Sequence, residues 1–146
     1  MTASHRELAF AGLKAALAGI AGMGKVYRGR AGAIAAADLP AIVIRDGGNP
    51  EPENFTGEVA YQASALLELH LAAATDEALQ QSFTDTLADI AAALQADITL
   101  GGVTEDVIEG ATGELVEAAK EGAPCYGVAE LTWILKFTTP FGQPRA

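Results

Sequence analysis

Residues Glu58 to Ala73 read EVAYQASALLELHLAA. Val59, Tyr61, Ala63, Ala65, Leu67, Leu69 and Leu71 fall on one face, while Glu58, Gln62, Ser64, Glu68 and His70 fall on the other. Successive side chains of an extended chain point to opposite sides, so this alternation predicts one long strand with a single buried face. A half-buried strand needs a layer of apolar side chains laid over it, and the flanking segments supply two helices.

Downstream, Thr75-Asp76 are good N-cap types and Glu77 suits the positive end of a helix dipole. Leu79, Phe83, Thr86, Leu87, Ile90 and Leu94 recur at helical spacing, which predicts a helix ending near Asp97. Upstream, Ser4-His5-Arg6-Glu7 fits a capping box, and Phe10, Leu13, Leu17 and Ile20 form an apolar stripe that Gly22 and Gly24 should stop. Lys25 to Arg28 fits a short strand. Leu39 to Arg45 reads as a buried strand with proline near its start, running into an acidic Pro/Gly loop at residues 46–54. Val128 to Thr138 alternates again, with Ala129, Leu131, Trp133, Leu135 and Phe137 inward. Between these, residues 103–122 hold two short runs around Gly110-Ala111-Thr112-Gly113, which fits a β-hairpin-like arm turning at the glycines. The second run, Glu114 to Lys120, also fits a helical turn or two.

The expected fold is therefore α+β: a mainly antiparallel sheet of about four strands, two helices on one face, and a protruding arm. One domain is expected over 1–146, with the arm at 103–122 and a loose tail at 141–146. A chain of 146 residues buries roughly 70% of its unfolded surface and needs no staple.

Composition narrows the function classes. Half the residues are hydrophobic and 19% charged, as in globular proteins. No apolar run reaches the roughly 18 residues of a membrane span, and the first residues do not read as a secretory signal. Cys125 is the only cysteine and there are two histidines, which leaves no multi-cysteine metal site and little for a histidine one. The formal charge of −10 opposes general nucleic-acid binding. It is unevenly placed: residues 1–45 carry six bases and two acids, +4, and the rest three bases and 17 acids, −14.

Candidate chemistry is thin. Gly19 to Lys25 has the spacing of a phosphate-binding loop, but a helix precedes it and Val26 stands where Ser or Thr is needed. A glycine helix stop accounts for it. His70 beside Glu68 could serve as a base and Cys125 as a nucleophile, the basis for an alternative reading as a small α+β enzyme or ligand-binding protein. Asp46, Glu51 and Glu53 offer oxygen ligands without a calcium-loop spacing. No cofactor, metal site or catalytic set is expected.

The element order carries a resemblance. "LPAIVIRDG" (39–47), the acidic loop, "EVAYQASALLELHLAA" (58–73), "TDEALQQSFTDTLADIAAALQAD" (75–97), "ITLGGVTEDVIEG" (98–110) and "VAELTWILKFTTP" (128–140) follow the capped first helix. This arrangement resembles the tail terminator proteins of long-tailed bacteriophages and prophages, the minor tail protein U-like family. The resemblance implies a structural, non-enzymatic virion protein at the head-proximal end of the tail, assembled in the host cytoplasm. Such proteins form a hexameric ring on the tail tube, end its polymerisation and join tail to head. The implied partners are further copies of the chain, the tail tube protein and head–tail connector or neck proteins. A membrane and sequence-specific nucleic acid are not among them, DNA at most passing through the ring. A neck or tail-completion protein of related fold is the alternative within that class. On this reading Val107, Ile108, Leu115 and Val116 of the arm would contact the next subunit. Lys25, Arg28 and Arg30, with Asp46, Glu51 and Glu53, would meet the tube or the neck.

Overall fold

The computed structural model describes residues 3–30 and 32–145. Its elements are α1 (His5–Ala18), β1 (Lys25–Arg28), a 3₁₀ turn (Ala36–Asp38), β2 (Ala41–Asp46), β3 (Glu53–Phe55), β4 (Glu58–Ala73), α2 (Asp76–Ala96), β5 (Asp106–Thr112), β6 (Val116–Lys120) and β7 (Ala123–Pro140). The fold is α+β, as the alternation and helical stripes predict.

The sheet is larger than expected. Seven strands, not about four, form one sheet ordered β1-β2-β4-β7-β5, with β3 on β4 and β6 on β7. It is mixed, because β1 runs parallel to β2 while the other pairs are antiparallel. The centre is the β4–β7 ladder, unbroken from Glu58↔Pro140 to Ala73↔Cys125. β4 keeps the face assignment read from its sequence: Ala63, Ala65, Leu67, Leu69 and Leu71 are buried.

Residues 103–122 form no protruding hairpin. β5 pairs with the later part of β7 (Asp106↔Lys136) and β6 with its beginning (Val116↔Val128, Lys120↔Ala123). At 18 residues, β7 is long enough to seat both end to end along one side. The glycines expected at a turn act at a bulge instead. A Cβ at Gly110 would stand 2.9 Å from the Thr132 carbonyl oxygen, and one at Gly113 2.8 Å from that of Glu130. Such close backbone approach, with the register shift between Glu109 and Thr112, is what glycine at a bulge permits. The turn lies instead between β6 and β7, where Gly122 has φ +81.

β3 lies in the stretch read as loop. Gly47 donates to Ser64 and Ser64 to Gly48, which carries the line of β2 past its end, and residues 53–55 then pair with β4. The tail, expected to be loose over 141–146, is tied back at 144 and 145, residue 146 lying outside the described residues: Ser4 and Arg145 form an antiparallel bridge, and His5 donates its N–H to the Pro144 carbonyl.

Both helices cover the same face. Ser4 caps α1 by accepting from the Glu7 N–H, and Thr75 caps α2 by accepting from Ala78. α1 ends at Ala18, earlier than Gly22, because Gly19 already takes the C-cap. Phe10, Leu13 and Leu17 of α1 and Leu79, Ile90 and Leu94 of α2 close the core over Leu67, Leu69, Leu131, Trp133 and Leu135. On the opposite face, Ile34 and Leu39 cover Ala41, Val43 and Tyr27. Beyond that patch no helix among the described residues lies over β4 and β7, and Leu66, Ile108 and Ile134 stay half-buried there. Among the described residues no helix is long and apolar enough to cross a membrane.

Candidate interaction surfaces

Four regions of the surface carry chemistry. The first joins α1 to the end of β2. Arg6 lies in the first turn of α1, and its Nε and Nη2 each donate to Asp46 at 2.6 Å while Nη1 reaches Asn49 at 2.7 Å. This planar fork on a carboxylate is the geometry that arginine supplies and lysine does not. The bond to Arg6 holds the Asp46 carboxyl below the usual aspartate range, with the Gly48 N–H helping. Asp46 holds the Arg6 guanidinium correspondingly up. Arg28 forks onto Glu7 at 3.0 and 3.2 Å, so that glutamate serves β1 as well as its own helix. Both guanidinium groups lie over Phe10, at 5.9 and 5.0 Å from the ring centroid.

The second is a row of polar groups crossing the sheet face opposite the two helices. Arg45 on β2 is 3.9 Å from Glu68 on β4. Glu68 Oε1 is 2.6 Å from His70 Nε2, and His70 Nδ1 bonds the Tyr126 hydroxyl on β7. An ionised carboxylate only accepts, which puts a proton on Nε2; in the neutral imidazole Nδ1 then accepts from the tyrosine. Burial, with the Glu68 charge adding to it, pushes the Tyr126 phenol up. Lys120 on β6 stands 5.1 Å over the same ring. His70 is 8% exposed, and its neighbours satisfy both ring nitrogens.

The third is the end of the sheet where β3, β4 and β7 meet. Phe55 and Phe141 are 56% and 69% exposed, and Phe141 donates to the Gly57 carbonyl in the β3–β4 turn, so the two belong to one tip. A groove of about 610 Å³ opens beside them, lined by Glu51, Glu53 and Phe55 on one side and Lys136 and Thr138 on the other.

The fourth is the pair of sheet edges, β1 and the β5–β6 line. Of the four residues assigned to an intersubunit arm, Val107 is 4% exposed and Leu115 packs against the core, so both face inward. Ile108 sits on the uncovered face opposite Ile134, and Val116 is 60% exposed. Lys25 and Arg30 are exposed at the β1 end, with the Arg30 guanidinium 4.5 Å over Tyr27.

The structure therefore separates residues grouped by sequence. Asp46 belongs to the Arg6 clasp, while Glu51 and Glu53 belong to the groove. Among the described residues no three His, Cys, Asp or Glu side chains are arranged to hold a metal ion. Cys125 does not join His70: the Asp76 carboxylate hydrogen-bonded beside it raises its thiol, the reverse of what a nucleophile needs. Sequence reading missed Arg6, Tyr126, Phe55 and Phe141. A start for β7 at Ala123 would have put Tyr126 in phase with Val128, and no local signal marked the others. No known family model matches the chain, and no curated protein matches it.

Proposed function

We propose that this chain is a structural protein of the phage tail end, closing as a ring of six on the last ring of the tail tube. In that role it stops polymerisation and presents the surface to which head-side proteins join. The resemblance in element order supports this reading, and the observation that carries it is the tip formed by Phe55 and Phe141. Two large aromatic side chains exposed at one end of a sheet, with Glu51 and Glu53 at their rim, have the make-up of a protein–protein contact with an apolar centre and a polar border. The tip gives the axial contact and the groove its charged margin.

The test uses tail tubes assembled from purified tube protein. Bound protein at one tube end, shorter tubes when it is present during growth, and loss of both effects in Phe55→Ala/Phe141→Ala are the expected results. Failure to bind any tube end would overturn the reading. Binding to isolated head–tail connectors but not to tubes would favour the neck or tail-completion protein instead. The row Glu68–His70–Tyr126 favours a second reading, a ligand-binding or catalytic α+β protein, because a carboxylate-oriented imidazole bonded to a hydroxyl is an acid–base arrangement. A wild type that caps no tube but binds a small ligand, with binding lost in a folded His70→Gln, would favour that second reading.

A further inference from the structure

The two edges of the sheet carry opposite charge. Among the described residues β1 pairs on one side only, with β2, and Lys25 and Arg30 stand exposed at its two ends. Arg45 lies on the adjacent strand. The far edge is acidic: Asp106 and Glu109 on β5, Glu114 in the link and Glu117 on β6. Against these four acids β6 carries one cation, Lys120, which lies over the Tyr126 ring as Arg30 lies over that of Tyr27. Four acids against one lysine leave this edge anionic, while Lys25 and Arg30 leave the β1 edge cationic.

We propose that a second copy of this chain is the partner of these edges: the cationic β1 edge of one subunit docks on the anionic β5–β6 edge of the next. This rests on the ring reading above and names its lateral contact. A contact between two unlike patches leaves one of each free on every pair, so it repeats head to tail and closes into a ring where the rotation allows. The bulge between Glu109 and Thr112 breaks the ladder at the acidic edge. Side-chain charge, not a ladder continued from subunit to subunit, therefore sets the register. Complementary charge at such a contact also makes assembly sensitive to salt.

Charge exchange tests this on the intact chain. Mass by light scattering is followed across protein concentration for the wild type, for Lys25→Glu/Arg30→Glu and for Glu109→Lys/Glu114→Lys/Glu117→Lys. The wild type should assemble at low salt and dissociate near 1 M salt, where the screening length is about 3 Å. Each variant alone has two like-charged edges and should assemble at least about tenfold more weakly. An equimolar mixture should assemble again, because each variant's altered edge then meets its complement, and only rings with an even number of subunits can close. The proposal is overturned if either variant assembles like the wild type, if the mixture stays dissociated, or if the wild type remains a monomer throughout. A wild type that stays monomeric yet caps tubes would remove the edge contact and keep the tail-end reading. Edge-driven rings that ignore tubes would do the reverse.

Discussion

Arg6 and Asp46, 40 positions apart, are joined by two parallel hydrogen bonds of 2.6 Å. The pair pins the first turn of α1 to the end of β2. Because Asp46 titrates below the usual aspartate range when folded, its contribution is present above the unfolded value and fades as pH falls through the folded one. Arg6→Ala should therefore lower stability at pH 7 by up to about 1 kcal/mol, a modest figure because both side chains are partly in water. The gap between variant and wild type should narrow below about pH 4. Urea unfolding at neutral and acidic pH measures it, and a gap independent of pH would show that the carboxylate is not its source.

The row on the open face predicts a tautomer. Nitrogen-15 NMR at neutral pH should find His70 protonated on Nε2, with Nδ1 as an acceptor. Tyr126→Phe removes the donor and should cost about 1–3 kcal/mol by leaving that nitrogen unpaired beneath the sheet face. In the wild type the Tyr126 phenol should titrate above the ordinary tyrosine range in ultraviolet absorbance. A proton on Nδ1 would reverse the row, with Tyr126 accepting.

Val107 and Val116 belong to neighbouring strands and should behave oppositely. Val107→Asp places a charge in the core and should destabilise by more than about 3 kcal/mol, enough to lose the fold in many domains. Val116→Asp should stay within about 0.5 kcal/mol of the wild type. Thermal unfolding compares them directly. Loss of assembly in the first would report unfolding, so Val116 is the informative position for an interface.

What could be read from sequence was local. The alternation from Val59 to Leu71, the caps Ser4 and Thr75, and the stripes Phe10 to Ile20 and Leu79 to Leu94 depend on spacings of two to four residues, and each matches the structure except that α1 ends at Ala18, short of Ile20. The partner of Arg6, the pairing of Ala72 with Tyr126 and the seating of β5 on β7 depend on which distant segments meet. Gly110 and Gly113 show the limit: glycine marks both a turn and a bulge, and only the strand beside it decides. A split of charge along the chain was visible, but the opposition of the two edges across the sheet required the strand order. Phe141 gave no warning, since an apolar residue after a strand-ending proline looks like any tail.

β7 has β4 along one side and β5 and β6 along the other, and it brings Trp133 to the core. It also follows every other described element in chain order, so the ribosome makes it after them. Until it emerges, β4 holds a full row of unpaired backbone groups on one side and the two helices have half a floor to rest on. Contacts between segments so far apart in sequence form slowly and late. The growing chain should thus wait, with its longest strand open to chaperones or to another nascent copy, and settle in one step once the final strand slides into place.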